Sequence, residues 1–510
     1  MLPEEIEEWE QAVEDKVKSQ IPQHGGKRSI LEEEEVKKDL QGLRSRLVIC
    51  PTDKAPKNFT FVCKHYYKHM IQEELHQEGG AYVTTALSRK EIYERYELEL
   101  RESKCPEKIY DEVVKAINQE KFSLPLLYWL PKMHKKPLPK ARFIAASYKV
   151  MTTKLAIFLN RVLKLITKEL KGKDLSHIKR EGYRRCFFVD GYEDVVDWLR
   201  AYIRPPEQER RNIATYDFST MYTAIDLNDL VDKVGIAIRE AFEGHLGLWA
   251  IEAGVLTDCK WIDEDLDPAE PFTYSADQVI DLVRILVNST YIANGEYIKR
   301  QCRGMPMGTN PAPPLANLYC YGCEAPAMDR LYNDVSREIA RSFMGTNRLI
   351  DDTLATDNIF YERNVIIADD PHIPIHPIYN PNLTLNRSDA DFLGMMVEDG
   401  PISAFYMRVS HKQTKLPFPL INYPSIRDNS NFPKTLAYGV FTGMLHRFHN
   451  ICTSALDFVA ESVGMCRKLA PKGYKQQRLS RIFQGFVRHH NRYSTRASTL
   501  IDHFHIQMNQ

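Results

Sequence analysis

Three aspartates are the residues of this 510-residue chain best placed to do chemistry together. Asp217 ends the apolar run in Ile213-Ala-Thr-Tyr-Asp217-Phe-Ser-Thr-Met-Tyr222-Thr, the pattern of a strand that delivers a carboxylate into a turn. Asp351 and Asp352 sit side by side in Asn347-Arg-Leu-Ile-Asp351-Asp352-Thr-Leu-Ala, flanked by apolar residues as at the turn of a hairpin. Two carboxylates ~4 Å apart at an effective dielectric of ~20 repel by roughly 4 kcal/mol. Between apolar strands solvent offers limited relief, so a proton or a divalent cation is the expected remedy. With Asp217 the set supplies three hard oxygen donors, suited to Mg²⁺ shared with a substrate's phosphates. Two such ions can lower the pKa of an attacking hydroxyl and stabilise the leaving oxygen of an in-line phosphoryl transfer. A lone Asp-Asp pair would carry little weight, and Asp369-Asp370 reads as a surface turn. The order of the segments carries more.

Between the two aspartate segments lies Arg303-Gly-Met-Pro-Met-Gly308-Thr-Asn-Pro-Ala-Pro-Pro-Leu-Ala-Asn317, a Gly/Pro-rich loop leading into a helix that is expected to end near Glu324. Upstream, residues 121 to 168 contain eleven Lys or Arg and no Asp or Glu. Leu127, Tyr128, Trp129 and Leu130 interleave there with Lys132, His134, Lys135, Lys136, Lys140 and Arg142. Prolines at 125, 131, 137 and 139 forbid a continuous helix, so strand and turn are expected to about Thr152. KLAIFLNRVLKLI, beyond it, has the spacing of an amphipathic helix. So one-sided a charge run favours a polyanionic partner over a merely solvated face. Residues 461 to 510 repeat the bias, with nine Lys or Arg against Glu461 and Asp502, and have helical spacing on both sides of a Pro471-to-Gly473 break.

The rest of the chain must position these groups. It has 68 Lys+Arg against 68 Asp+Glu, 43% hydrophobic and 27% charged residues, which is a globular composition and excludes a fibrous or largely disordered chain. The zero net charge is a sum of unlike regions: residues 1 to 40 hold twelve acidic and six basic side chains and read as a solvated helical lead-in. LVICP and FTFVCKHYY read as strands separated by a DKAPKN turn that contains Asp53 and Lys54, and residues 89 to 118 as a surface helix pair. WIDEDLDPAE, at 261 to 270, lacks the glycine and terminal glutamate of an EF-hand loop and reads as a solvated acidic insertion. The ten cysteines are scattered, and Cys320 and Cys323 lack a second pair at zinc-ribbon spacing, so reduced thiols are expected. An acidic N-terminus without a signal pattern, and no long apolar run, lead us to expect an intracellular protein, nuclear or cytoplasmic, without a membrane partner.

The segments in this order resemble the fingers–palm core of reverse transcriptases, most closely the Penelope-like group and related eukaryotic mobile-element enzymes. YDFSTMYTAI looks like their motif A, RGMPMGTNPAPPLANLY like motif B, RLIDD like motif C, and DADFLGMMVEDG like the strand pair that follows. LPKMHKKPLPKARFIAAS is similar to the group's fingers motif, and the DKA at 53 to 55 to its leading DK segment. The resemblance covers about residues 45 to 490. This chain departs from it at Leu349, where an aromatic is common, and at Arg303, where many reverse transcriptases have Gln.

The resemblance implies an α+β right-hand polymerase, with an antiparallel palm sheet carrying the catalytic aspartates and a helical thumb. The implied division is an acidic helical extension (1–44), fingers and fingers-proximal region (45–200), palm with an insertion around 240–275 (201–410), and a basic helical thumb (411–510). It implies that Asp217 and Asp351 bridge two Mg²⁺ ions, Mn²⁺ being a possible substitute, with Asp352 adjacent and the Phe218 backbone carbonyl a further ligand. Tyr222 falls at the steric-gate position, which favours deoxynucleotides. Arg142, helped by Lys140 and Lys54, would hold the triphosphate, while Gly304, Gly308 and Asn310 would let the backbone approach the nascent base pair and template. Lys132, His134, Lys135 and Lys136, together with Arg478, Arg481 and Arg488 of the thumb, would track nucleic acid. Lys412 and Lys415 are candidates for the motif-D lysine. The implied activity is RNA-directed DNA polymerisation for a retroelement, with RNA template, DNA primer or RNA–DNA duplex, and dNTPs as partners. A separate endonuclease or a pre-existing 3′ end would prime it, since no nuclease segment is recognised. A catalytically inactive nucleic-acid-binding derivative and an RNA-dependent RNA polymerase are the competing expectations.

Overall fold

A computed structural model describes residues 34–133, 140–205, 213–218, 221–253, 256–263, 272–295, 297–305, 308–358, 361, 381–384, 389–400, 404–411, 423–427 and 433–509. The acidic lead-in before residue 34, His134, Lys135 and Lys136, the acidic stretch from 264, Asp369-Asp370, and Lys412 and Lys415 lie outside the described residues.

Helix α1 (Glu34–Arg46) runs into the antiparallel hairpin β1 (Leu47–Thr52) and β2 (Ala55–Cys63). The turn is only Asp53-Lys54, with Lys54 in the left-handed region at φ 63°. It is shorter than expected, because Ala55–Asn58 belongs to the strand. The HYY segment, expected as strand, instead begins α2 (Lys64–His76). The cause is tertiary: Tyr67 stacks on the fully buried Trp129 at 4.8 Å, and the Trp129 indole N–H donates to the Tyr67 carbonyl at 3.0 Å. After β3 (Tyr82–Thr85) the expected helix pair appears as α3 (Arg89–Glu102), opened by a Ser88–Glu91 capping box, and α4 (Glu107–Asn118). Hairpin β4 (Leu127–Lys132) and β5 (Lys140–Ala145) follows, with Leu130 opposite Arg142 and Lys132 opposite Lys140. The Asp53 amide donates to the Pro131 carbonyl at 3.1 Å and ties the two hairpins together.

Helix α5 (Thr153–Glu181) extends the expected amphipathic segment to 29 residues and ends where Gly182 takes a left-handed cap. Its stripe Leu155, Leu159, Val162, Ile166 and Leu170 is fully buried, worth about 1.5–3 kcal/mol per side chain. After α6 (Tyr192–Ala201) and strand β6 (Ile213–Phe218) comes α7 (Leu227–Phe242), capped by Asp226. Hairpin β7 (Gly247–Ala253) and β8 (Leu256–Ile262) pairs with β9 (Thr273–Tyr274), and α8 (Ala276–Asn288) leads to β10 (Tyr291–Asn294) and β11 (Tyr297–Gln301). Helix α9 (Ala312–Arg330) runs past Glu324, two turns longer than expected, and carries both Cys320 and Cys323. Helices α5, α7, α8 and α9 share one apolar core.

The sheet that carries the aspartates has strand order β12 (Thr346–Leu349), β13 (Asp352–Thr356), β6, β14 (Pro381–Thr384), and every neighbour is antiparallel. The expected strand pair after it is present as β15 (Asp389–Phe392) and β16 (Met395–Asp399), joined by positive-φ Leu393-Gly394 and extended by β17 (Phe405–Val409). The C-terminal helices α10 (Gly439–Ile451), α11 (Ala455–Leu469), α12 (Gln476–His489) and α13 (Ala497–Asn509) surround a second core of Phe441, Phe458, Phe483 and Phe504. Their break falls at Gly473, φ 94°, as the sequence indicates. Among the described residues no helix is long and apolar enough to cross a membrane.

Candidate active site

Strand β6 delivers Asp217 at its C-terminal end, directly opposite Asp352 in the ladder with β13. The Phe218 amide donates to the Asp351 carbonyl at 3.3 Å, which draws the Ile350-Asp351 turn onto the end of β6. Asp217 and Asp351 are half-buried and Asp352 is exposed. Burial pushes the Asp351 carboxyl up to about 6; the charges of Asp352 and Asp217 add to the rise and Arg142 opposes it. The three aspartates expected to act together are therefore brought together. Among the described residues they are not closed around one point as a dedicated metal cage. Mg²⁺ would need waters and substrate phosphates beside these carboxylates to complete its shell.

Arg142 reaches this cluster from β5. Its Nε lies 3.3 Å from Oδ1 of Asp53, which is buried at the β1–β2 turn and whose second oxygen has no hydrogen-bond donor among the described residues. Asp53 thus fixes the guanidinium while leaving it 46% exposed, a role that the sequence alone does not assign to it. Lys54 and Lys140 are exposed at the ends of the two hairpins, and Lys132 is half-buried across from Lys140.

Tyr222 stands in a single helical turn, Met221–Ala224, and packs half-buried against the main core. Its phenol is pushed above the ordinary range by burial first and by the Asp351 charge second. The Gly-rich loop is bolted to this turn: the Met305 amide donates to the Tyr222 carbonyl at 3.0 Å and the Gly304 amide to the Ile225 carbonyl at 2.6 Å. The Gln301 side chain holds the loop from behind, donating to the carbonyls of Arg303 at 2.9 Å and Met305 at 3.2 Å. Gly308 has φ +94°, and a β-carbon there would overlap the Ala145 carbonyl at the end of β5. An intramolecular contact therefore already requires this glycine, whatever a base pair or template adds. Asn310 is exposed just before α9.

A buried polar network behind the turn escaped sequence reasoning. Arg348, 1% exposed, pairs through Nε and Nη2 with Glu324 at 2.7 and 2.9 Å, and through Nη1 reaches Asn317 at 3.3 Å and the Ile350 carbonyl at 2.9 Å. The available signal was Glu324, the lone charged residue between Ala312 and Met328.

Arg478, Arg481 and Arg488 belong to the C-terminal helices. They lie on the exposed face of α12, opposite Leu479, Phe483 and Val487 in the core, and Arg478 covers the Tyr438 ring at 4.2 Å.

No protein-family model and no curated protein matches the chain. Solved structures do. Telomerase from Candida albicans, in complex with a TWJ fragment of telomeric RNA, superposes with TM-score 0.53 at 12% identity over 93% of this chain and 70% of that one. Telomerase from Candida tropicalis with the same RNA fragment gives 0.47 at 11% over 92% and 68%. The BmCPV RNA-dependent RNA polymerase at elongation state gives 0.33 at 10% over 78% and 33%. At such identities the likeness is one of fold, and the first superposition carries it: this chain, mixed in helix and sheet, has a polymerase fold.

Proposed function

We propose that this chain is an RNA-directed DNA polymerase of a mobile element of the Penelope-like kind, extending a primer 3′-OH with dNTPs. The observation that carries the reading is the strand pairing that sets Asp217, Asp351 and Asp352 together beside Arg142 and Tyr222. In this reading residues 45–200 are the fingers, 201–410 the palm and 411–510 the thumb. Asp217, Asp351, the Phe218 carbonyl and, less directly, Asp352 would hold Mg²⁺. When bound, Mg²⁺ supplies Lewis-acid stabilisation of the attacking and leaving oxygens.

The chain's own groups do the rest. Arg142, steadied by Asp53, neutralises the incoming triphosphate, with Lys140 and Lys54 at the rim. Tyr222, held by the Gly304–Met305 loop, presents its ring where a ribose 2′-OH would sit. The basic faces grip template and primer phosphates, an interaction that weakens steeply with salt.

Primer extension on RNA and DNA templates, with dNTPs or NTPs, tests the proposal. Wild type should extend a DNA primer on RNA with dNTPs, and Asp351→Ala should not. Incorporation of NTPs in preference to dNTPs would turn the reading to an RNA polymerase. Duplex binding without incorporation on any template would turn it to an inactive derivative.

A further inference from the structure

The turn that presents Asp351 and Asp352 is not an easy one. Ile350 has φ +60°, and a β-branched residue adopts the left-handed region only against a steric penalty. Such a conformation persists where its surroundings over-determine it. Two hydrogen bonds clamp it here: the Phe218 amide to the Asp351 carbonyl at 3.3 Å on the β6 side, and Arg348 Nη1 to the Ile350 carbonyl at 2.9 Å from within the protein.

Arg348 is itself held by both backbone and side chain. Its backbone donates to the Phe187 carbonyl at 2.7 Å and accepts from the Val189 amide at 2.8 Å. Its side chain is gripped in bidentate fashion by Glu324 and touched by Asn317, both on α9 and two helical turns apart on one face. A buried ion pair adds little stability over an apolar pair of similar volume, so stability does not by itself account for it. What an apolar pair could not supply is the donor to the Ile350 carbonyl.

We propose that Arg348 is a positioning residue: it fixes the Ile350 carbonyl, and so the placement of the Asp351 and Asp352 carboxylates, by tying the turn to the helix that leaves the Gly304–Gly308 loop. The inference rests on reading those carboxylates as the metal-holding centre. Glu324 and Asn317 act through Arg348 by orienting its fork.

The test compares Arg348→Met, the double variant Arg348→Met/Glu324→Leu, and Arg348→Lys. Each is measured by thermal unfolding, by Mn²⁺ binding to the protein without nucleic acid, and by primer extension. Arg348→Met alone should unfold early, because buried Glu324 loses the guanidinium that it faces. The double variant should melt like wild type, yet bind Mn²⁺ about 10-fold more weakly and lose about 100-fold in kcat. Its KM for dNTP and its duplex affinity should stay within about twofold of wild type, as expected when chemistry rather than binding is disturbed. Arg348→Lys, which keeps a charge for Glu324 but no fork to reach the carbonyl as well, should fold and fall about 10-fold in kcat and Mn²⁺ affinity.

A double variant, or a folded lysine variant, with wild-type Mn²⁺ affinity and kcat would overturn the inference and leave Arg348 as a counter-ion for Glu324. Should wild type bind Mn²⁺ but extend no primer, the polymerase reading fails, and the Mn²⁺ comparison alone decides the role of Arg348. If wild type does not bind Mn²⁺ either, both fail.

Discussion

Asp352 stands directly opposite Asp217 across the antiparallel ladder of β13 and β6. Facing β-carbons in such a pair are about 4.5–5.5 Å apart, and like charges there are destabilising. Strand pairing thus holds two carboxylates against their own repulsion, with Asp351 beside them.

Removing one charge should therefore separate stability from activity. Without divalent ions Asp217→Asn is expected to melt at or above wild type, while primer extension disappears. Differential scanning and a gel-based extension assay measure both; an asparagine variant that extends like wild type would remove Asp217 from the site.

Asp174, buried on α5, has its carboxyl pushed up to about 6 by burial, against the opposing pull of Arg184 at 3.7 Å. Its folded pKa exceeds the unfolded value of about 3.9, so the native state holds the proton more tightly. The stability it contributes is fully present below about pH 4 and is lost as pH rises through the window to about 6, by roughly 2–3 kcal/mol. Asp174→Asn keeps the acceptor for the Arg185 and Cys186 amides and should lack that decline. Urea unfolding at intervals from pH 4 to 7 checks it; parallel curves for the two proteins would refute it.

Gly308→Ala should be costly twice over. The left-handed φ strains any β-carbon, and the Ala145 carbonyl occupies the place it would take. A loss of about 1–3 kcal/mol and a marked drop in extension are expected. Gly464→Ala, within α11 and with open space around its β-carbon, should instead gain about 0.5–1 kcal/mol. Equal effects of the two substitutions would show that the close approach to β5 is not what matters.

Tyr222→Val keeps the backbone acceptor for Met305 and removes the ring. We expect discrimination between dNTP and NTP to fall by about tenfold or more, most of it through NTP KM. Competition between dCTP and CTP at a single template G measures this. Unchanged selectivity would make Tyr222 a core residue only.

The arginine face of α12 should show itself in salt dependence. Changing Arg478, Arg481 and Arg488 to Ala should weaken duplex binding and lower the slope of log K against log salt by about 0.9 for each phosphate no longer neutralised. Fluorescence anisotropy between low and moderate salt reads it. A slope identical to wild type would place the duplex elsewhere.

The local structure was legible because it depends on near neighbours. Asp351-Asp352 between apolar residues announces a hairpin turn, the prolines between 125 and 139 exclude a helix, and the spacing of Leu155, Leu159, Val162, Ile166 and Leu170 writes a buried helix face. Arg478, Arg481 and Arg488 share a face by helical period alone. Tertiary structure decided what distant segments do to one another. HYY is helical because Tyr67 meets Trp129, a contact that outweighs the β-propensity of its own residues. Gly308 owes its place to Ala145, Arg142 its anchoring to Asp53, and the Ile350-Asp351 turn its clamp to Arg348, Glu324 and Asn317. Periodicity records which face of an element is buried but not what it is buried against, so pairings across the fold wait on the packed chain.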